Sequence, residues 1–167
     1  MSITMKIISS DINQYGNPYF MVEEKSITSG PGVSMSNTIK HVYAKDISNN
    51  DLLEYGHITI NEFIGEKDIN YDPPWVILKY PLQVGASWLV GVDDRDGTEF
   101  YSKVIKFETV KTKAGTFKNC AKIKEVVYVG GNKNDSLEYL YWYAPNVGLV
   151  KGTMVGELKS YKIPSPK

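Results

Sequence analysis

Apolar and polar residues alternate along much of this chain with a period of two, which is the spacing of a β-strand. Between His57 and Asn61, the two isoleucines Ile58 and Ile60 fall on one face and the polar side chains on the other. The alternation predicts half-buried antiparallel strands, since no window keeps a period of 3.6 residues. A second predicted buried face, opposite a row of lysines, consists of Phe117, Ala121, Ile123 and Val127.

Turn-forming residues divide the chain into runs of strand length. Gly accepts positive φ, Asn tolerates it and Pro lacks a backbone donor, so clusters of these residues predict hairpin connections. We therefore expect an all-β fold, a curved antiparallel meander or half-barrel of about eight to ten strands, with a flat two-sheet sandwich as the alternative. The clusters lie at residues 14–17, 29–32, 48–51, 72–74, 94–97, 113–115, 130–132 and 145–148.

Composition agrees with this fold class. Val, Ile, Tyr, Thr, Phe and Trp, which favour strands, number 59, against 19 for Ala, Leu and Met. With 167 residues, 42% of them apolar, the chain is long enough for one domain with a sizeable core. We therefore expect a single all-β domain over residues 1–167.

Two segments of the first half return in the second half. The run Asn49–Tyr55 (NNDLLEY) is matched by Lys133–Tyr139 (KNDSLEY) at an offset of 84 residues. The hairpin around Gly16 returns around Gly97 at an offset of 81 residues. The matches predict a duplicated unit with pseudo-repeats at 1–80 and 81–165, although short polar matches also arise by chance. In such a repeat, the counterpart of residues 81–88 falls mostly before Met1, which predicts additional residues upstream.

The formal net charge is zero, which argues against nucleic acid as a partner, and no apolar run is long enough for a transmembrane segment. The charge is divided unevenly. Residues 1–83 carry 6 Lys and 10 acidic residues, whereas residues 84–167 carry 13 Lys or Arg and 9 acidic residues. The lysines of the second half are expected to cover a solvated face, with an anionic ligand or surface polymer as the alternative.

The chain holds no recognisable catalytic set. His41, His57 and Cys120 offer metal-ligand atoms, but they are far apart in sequence and no local spacing groups them, so we predict no metal site and no cofactor. Paired carboxylates at Glu23 and Glu24, at Glu62 and Glu66, or at Glu99 and Glu108 keep a glycan-cleaving enzyme as the rival hypothesis. We nevertheless predict that the protein is not an enzyme.

The aromatic segment 139–143 (YLYWY) is the most unusual local feature. On a strand its three tyrosines share one face, while Leu140 and Trp142 occupy the other. We expect aromatic packing of the core, with the wall of a hydrophobic groove as the functional alternative. The candidate ligand-binding residues for such a groove are Trp88, Tyr139, Tyr141, Trp142 and Tyr143.

Four segments resemble a known pattern: residues 81–88 (PLQVGASW), 114–120 (AGTFKNC), 142–151 (WYAPNVGLVK) and 157–162 (ELKSYK). In this order they resemble an uncharacterised family of bacterial exported proteins and lipoproteins, common in Firmicutes. That family is related to domains of unknown function with a half-barrel sheet like that of the Lol lipoprotein carriers. The resemblance covers about residues 77–163 and implies no established activity or functional residues.

These observations predict an extracytoplasmic protein of the cell envelope whose leader is absent from this sequence, with a cytoplasmic protein as the alternative. If it binds anything, the expected partner is a hydrophobic or amphipathic small molecule or an envelope polymer. A curved open sheet must cover its inner face, and this chain lacks a long helix for that purpose. The competing hypothesis is a structural or interaction module without a ligand.

Overall fold

The computed structural model describes residues 2–12, 18–30, 33–61, 63 and 65–160. Within these ranges the chain forms strands joined by short turns, and its one helical element is a 3-10 turn at Val129–Gly131. The chain divides into two compact units, Met1–Pro81 and Leu82–Lys167. The strands are β1 (Ser2–Ile12), β2 (Pro18–Gly30), β3 (Val33–Lys45), β4 (Leu52–Asn61), β5 (Gly65–Leu78), β6 (Ser87–Asp93), β7 (Thr98–Thr112), β8 (Gly115–Tyr128), β9 (Ser136–Ala144), β10 (Gly148–Gly152) and β11 (Gly156–Glu157).

Each unit contains one open antiparallel meander. The sheet of the first unit has the order β1-β2-β3-β4-β5, and that of the second has the order β11-β10-β9-β8-β7-β6. Every pair joins strands consecutive in sequence, as hairpin connections require. The all-β antiparallel meander is therefore confirmed. The described residues contain eleven strands rather than eight to ten, and β11, with two residues, is too short for any sequence pattern to reveal.

The strands of the two sheets correspond in order and spacing. Each strand from β1 to β5 has a counterpart from β6 to β10 that begins 80 to 85 residues later, the extremes being Pro18 with Thr98 and Ser2 with Ser87. The division between the units falls at Pro81, next to the boundary expected between the repeats. This spacing supports the hypothesis of a duplicated unit. Duplication and the assignment of a single domain both stay predictions.

The four residues predicted to form one buried face of β8 are all buried in the core of the second unit, but Phe117 lies on the opposite face from the other three. Phe117, Ala121, Ile123 and Val127 are all at most 7% exposed. Cys120 lies on the side of Lys122, where a regular alternation places it, and is nevertheless fully buried. A register shift between Phe117 and Cys120 puts Phe117 on this same side, where both belong to one core cluster, and Asn119 takes a positive φ of 55° within the shift. Burial also raises the pKa of the Cys120 thiol.

Most predicted turns within the described residues are turns, but the one at residues 72–74 is wrong. Pro73 and Pro74 lie inside β5, which forms an edge of the first sheet. An edge strand tolerates proline because its outer side makes no ladder hydrogen bonds. The pairing of β4 with β5 jumps from Gly56–Asn70 to Glu54–Trp75, so the prolines also lie in a bulge. The turn predicted at 14–17, part of that at 29–32, and Glu62 fall outside the described residues.

Candidate ligand-binding groove

An open groove of about 310 Å³ lies on the second sheet. It is formed on strands β6, β7 and β8, together with one lysine from the turn before β9. The lining combines aromatic, aliphatic, hydroxyl and cationic groups, which is the mixture that recognises an amphipathic ligand. The lining residues are Ser87, Tyr101, Ser102, Lys103, Lys124, Val126, Tyr128 and Lys133.

The register of the strands explains why these side chains meet. Ser87 pairs with Lys103, and Lys103 pairs with Lys124, so these three residues form one row across β6, β7 and β8. In the next row on the same face, Tyr101 pairs with Val126. Side chains of directly paired residues lie on the same face of a sheet. The sheet therefore presents a cationic row beside an apolar one.

Lys133 reaches into the groove over two aromatic rings. Its ammonium lies 4.8 Å from the ring centre of Tyr101 and 4.1 Å from that of Tyr128. The two rings meet edge to face, with their centres 5.8 Å apart. Lys133 also donates a hydrogen bond to Glu99, which raises the pKa of Lys133 and lowers that of Glu99. The lysine is thus held in its charged form.

Lys103 and Lys124 face each other across β7 and β8, an arrangement of like charges that disfavours the pairing. Lys124 is compensated by Glu138, whose carboxylate accepts a hydrogen bond from it at 2.7 Å. Within the part of the chain that the structure describes, Lys103 takes part in none of the ion pairs. An anion bound at this row would relieve the repulsion between the two ammonium groups.

A separate aromatic and cationic contact surrounds Trp142. The ammonium group of Lys122 lies 5.1 Å from the ring centre of Trp142, and that of Lys151 lies 5.3 Å from it. The indole nitrogen of Trp142 donates a hydrogen bond of 2.8 Å to Glu108. Hydrogen bonds from Lys106 and then Trp142 lower the pKa of the Glu108 carboxyl. Trp142 is therefore enclosed by its own neighbours.

The five aromatic residues predicted from the sequence divide between the two faces of the sheet. Tyr139 pairs with Glu125 and lies in the same row as Trp88, which is 6% exposed. Tyr141 and Tyr143 pair with the buried Ile123 and Ala121, whereas Trp142 pairs with Lys122 on the opposite face. The alternation predicted within residues 139–143 is thus present. None of the five lines the groove described above, and their role in ligand binding stays a prediction.

Sequence reasoning missed the two tyrosines of the groove, although a signal for them was present. Tyr101 lies two residues before Lys103, and Val126 and Tyr128 follow Lys124 at the same spacing of two. Alternation therefore places these aromatics on the face of the lysines. A row of lysines on a strand indicates a solvated face, so this pattern does not predict that aromatic residues of the same parity line a groove beside them.

The carboxylates offered for glycan cleavage differ in their surroundings. A general acid at neutral pH needs a raised pKa, but the pKa values of Glu99 and Glu108 are both lowered by hydrogen bonds. In the first unit, burial raises the pKa of Glu24, and the charge of His41 opposes this shift. Neither Glu99 nor Glu108 therefore has the raised pKa that a general acid needs.

Comparison with known proteins gives one partial match. A family model described as DUF3108-like matches residues 98–160, a segment that lies within the second unit and includes most of the groove residues. The function of that domain is unknown. No curated protein and no solved structure matches the chain. Among the described residues there is no helix with both the length and the apolar character needed to cross a membrane.

Proposed function

We propose that the second unit binds an anionic amphipathic molecule in the groove of β6, β7 and β8. The observation that carries this proposal is the row of Ser87, Lys103 and Lys124 beside the row of Tyr101 and Val126. The first row offers charge and a hydroxyl group, and the second offers apolar surface. A ligand with an anionic head and an apolar body satisfies both rows at once.

The charges of the lysine row determine where the head group of the ligand binds. Lys103 has no ion-pair partner among the described residues and faces a second ammonium, so it gains most from an anion. Residues 84–167 also carry four more basic than acidic residues, which attracts anions over a longer range. The head group therefore binds between Lys103 and Lys124.

The aromatic rings determine where the apolar part of the ligand binds. The rings of Tyr101 and Tyr128 pack edge to face, and the ammonium group of Lys133 lies over both rings. A preordered surface of this kind loses little conformational freedom when a ligand binds. The apolar body therefore lies along the tyrosines and Val126.

The same proposal places the protein in the cell envelope, where anionic amphiphiles are abundant. Its support is the resemblance of residues 81–88, 114–120, 142–151 and 157–162 to exported bacterial proteins. Fractionation of cells that express the complete gene from its own start tests this part. Recovery of the protein in the envelope fraction is expected, and recovery in the cytoplasm would contradict it.

Isothermal titration with three probes tests the groove itself. Decyl phosphate below its micelle concentration carries both required features, whereas decyl maltoside lacks the charge and inorganic phosphate lacks the chain. We expect decyl phosphate to bind more tightly than either of the other two. Equal binding of the two decyl compounds, or no binding of decyl phosphate, would overturn the proposal.

Two variants sharpen this test. Lys103→Gln removes the unpaired charge and is expected to weaken decyl phosphate binding about threefold, the value of one exposed charge. Lys111→Gln is the matched control, because Lys111 is an exposed lysine of β7 that does not line the groove. Equal loss in both variants would indicate a general charge effect. Binding of a soluble anionic polysaccharide in place of decyl phosphate would assign the groove to an envelope polymer.

A further inference from the structure

The sheet of the first unit brings together the only two histidines of the chain. His41 on β3 pairs directly with His57 on β4, and their ring centres lie 5.8 Å apart. Strand pairing therefore groups two histidines that no local spacing in the sequence groups, because the antiparallel hairpin of β3 and β4 aligns residues 16 positions apart. Cys120, the third ligand considered, belongs to the second unit.

A carboxylate completes the group. Glu54 on β4 is buried, and its Oε1 lies 2.6 Å from Nδ1 of His41. One ligand atom from each of His41, Glu54 and His57 can be chosen so that all three lie within 4.8 Å of one another. Two imidazoles and a carboxylate are ligands suited to zinc and to the similar divalent cations of copper and nickel.

A bulge in β4 gives this cluster its shape. The pairing with β3 shifts between Val42 and Tyr43, so Glu54 lies opposite Tyr43, on the face that His41 and His57 share. Gly56 occupies the bulge with a φ of 150°, and a Cβ atom there would lie 2.1 Å from the carbonyl oxygen of Ile69. Only glycine fits this position. The bulge that Gly56 allows places Glu54 beside His57 on the same face of the sheet.

The surroundings hold the histidines in place. The hydroxyl of Tyr71 lies 3.0 Å from Nδ1 of His57, and a bond of this kind fixes the ring orientation of a ligating histidine. His41 stacks on Tyr43, with ring centres 5.7 Å apart. Glu24 is close enough to His41 for their charges to interact, which places a second carboxylate near the cluster.

We propose that His41, Glu54 and His57 form a binding site for a divalent transition metal of the zinc class. Tetrahedral zinc with ligands at about 2.0–2.1 Å needs ligand atoms about 3.3 Å apart, so the contact between His41 and Glu54 opens by about 0.7 Å on binding. Side-chain rotation supplies that movement. Three protein ligands leave the fourth position of the tetrahedron to water or to an external donor.

Titration of the wild-type chain with Zn²⁺, followed by ¹⁵N NMR of the imidazole rings, tests this site. Since the chain has two histidines, each signal is assigned by a single substitution. We expect the signals of both histidines to shift together and to stop shifting at one equivalent of Zn²⁺. No shift at one equivalent, or gradual shifts that continue over several equivalents, would overturn the proposal. This result comes from the wild-type chain itself and does not depend on how a variant folds.

Variants then identify the ligands. Glu54→Gln is expected to lower the Zn²⁺ affinity by at least about tenfold, and Tyr71→Phe by about tenfold through loss of the orienting hydrogen bond. Glu66→Gln is the matched control, because Glu66 is an exposed carboxylate of β5 outside the cluster. Circular dichroism verifies the fold of each variant. A folded Glu54→Gln variant with the affinity of the wild type would contradict the assignment.

Cobalt gives an independent readout. We expect Co²⁺ bound at the site to show visible ligand-field absorption without the near-ultraviolet charge-transfer band of a thiolate ligand, because the cluster holds no cysteine. A thiolate band would assign the cation to Cys120 and overturn the site proposed here.

Discussion

Glu54 in the first sheet and Glu138 in the second occupy the same position of the repeated segment, yet they take part in different chemistry. Each lies on the strand after a turn, and each accepts a hydrogen bond from the residue two positions before its paired residue on the preceding strand. For Glu54 that residue is His41, and for Glu138 it is Lys124. The offset between carboxylate and base is shared, whereas the bulge at Gly56 has no counterpart in the pairing of β8 with β9 and the identity of the base differs.

Burial separates the two pairs as well. The side chain of Glu54 is 8% exposed, whereas that of Glu138 is 60% exposed. An imidazole can release its proton and bind a cation, whereas an ammonium group only donates hydrogen bonds. The proposed cation site of the first sheet and the proposed anion groove of the second therefore differ at this position in the base and in its burial.

The largest expected effect comes from the two buried glycines. Gly56→Ala forces a Cβ atom against the backbone of Ile69 at a positive φ, so we expect a loss of about 3 kcal/mol or more in the free energy of unfolding. Gly152→Ala meets only side chains, Val155 and Tyr141, and should cost about 1 kcal/mol. Urea unfolding of both variants measures the difference. A milder effect of Gly56→Ala than of Gly152→Ala would contradict the role assigned to the bulge.

The next effect concerns the two repeated carboxylates. Glu54→Gln replaces a buried acceptor bonded to His41 and is expected to destabilise the protein by about 1–3 kcal/mol. Glu138→Gln removes an exposed partner of Lys124 and should cost less than about 1 kcal/mol. Thermal unfolding of the two variants under identical conditions compares them directly. Equal losses would show that burial does not distinguish the pairs.

The pKa values of glutamates in the two sheets should also be shifted in opposite directions. Burial raises the pKa of Glu24, so the folded chain holds this proton more tightly, and the resulting stability, present below the unfolded pKa, is lost as pH rises through the raised value. Hydrogen bonds from lysines lower the pKa values of Glu99 and Glu108, whose stabilising contribution is present above the unfolded pKa and lost as pH falls through the lowered values.

¹³C NMR titration of the glutamate carboxyl carbons measures these values one residue at a time. We expect Glu24 to titrate above the ordinary value of 4.5, and Glu99 and Glu108 below it. A titration of Glu24 below that of Glu99 would contradict the contrast between the two sheets.

A local effect on a single carboxyl group is expected at Trp142. Trp142→Phe keeps an aromatic ring between Lys122 and Lys151 but removes the hydrogen bond to Glu108. The pKa of Glu108 should rise toward its ordinary value but remain lowered by Lys106, and stability should change by about 1 kcal/mol. The same carboxyl titration tests this. An unchanged pKa would assign the whole shift to Lys106 and Lys122.

Alternation predicted the strands and one core face because it depends only on neighbouring residues. It identified Ala121, Ile123 and Val127 as one buried face but misplaced Phe117, since the bulge before Cys120 reverses the parity and leaves no mark in the alternation. Pro73 and Pro74 predict a turn although they lie within β5, because a sequence does not show which strand lies at an edge. Short-range patterns therefore predicted the elements, and their irregularities were found only in the structure.

The candidate sites were harder to predict because both depend on strand register. His41 and His57 meet only when β3 and β4 pair in the observed alignment, and Glu54 joins them only through the bulge at Gly56. Lys103 and Lys124 likewise meet across a pairing that the sequence does not specify. A single shift of register moves every side chain to the other face, so a correct strand prediction does not yet give a site.

Backbone amide NMR of the full chain, titrated separately with Zn²⁺ and with decyl phosphate, tests the central contrast most directly. We expect Zn²⁺ to shift amides of β3 and β4 around His41 and His57, and decyl phosphate to shift amides of β7 and β8 around Lys103 and Lys124. Each ligand should leave the other set unchanged. Shifts of the same set by both ligands, or no shift by either one, would contradict the assignment of a cation site to the first sheet and an anion groove to the second.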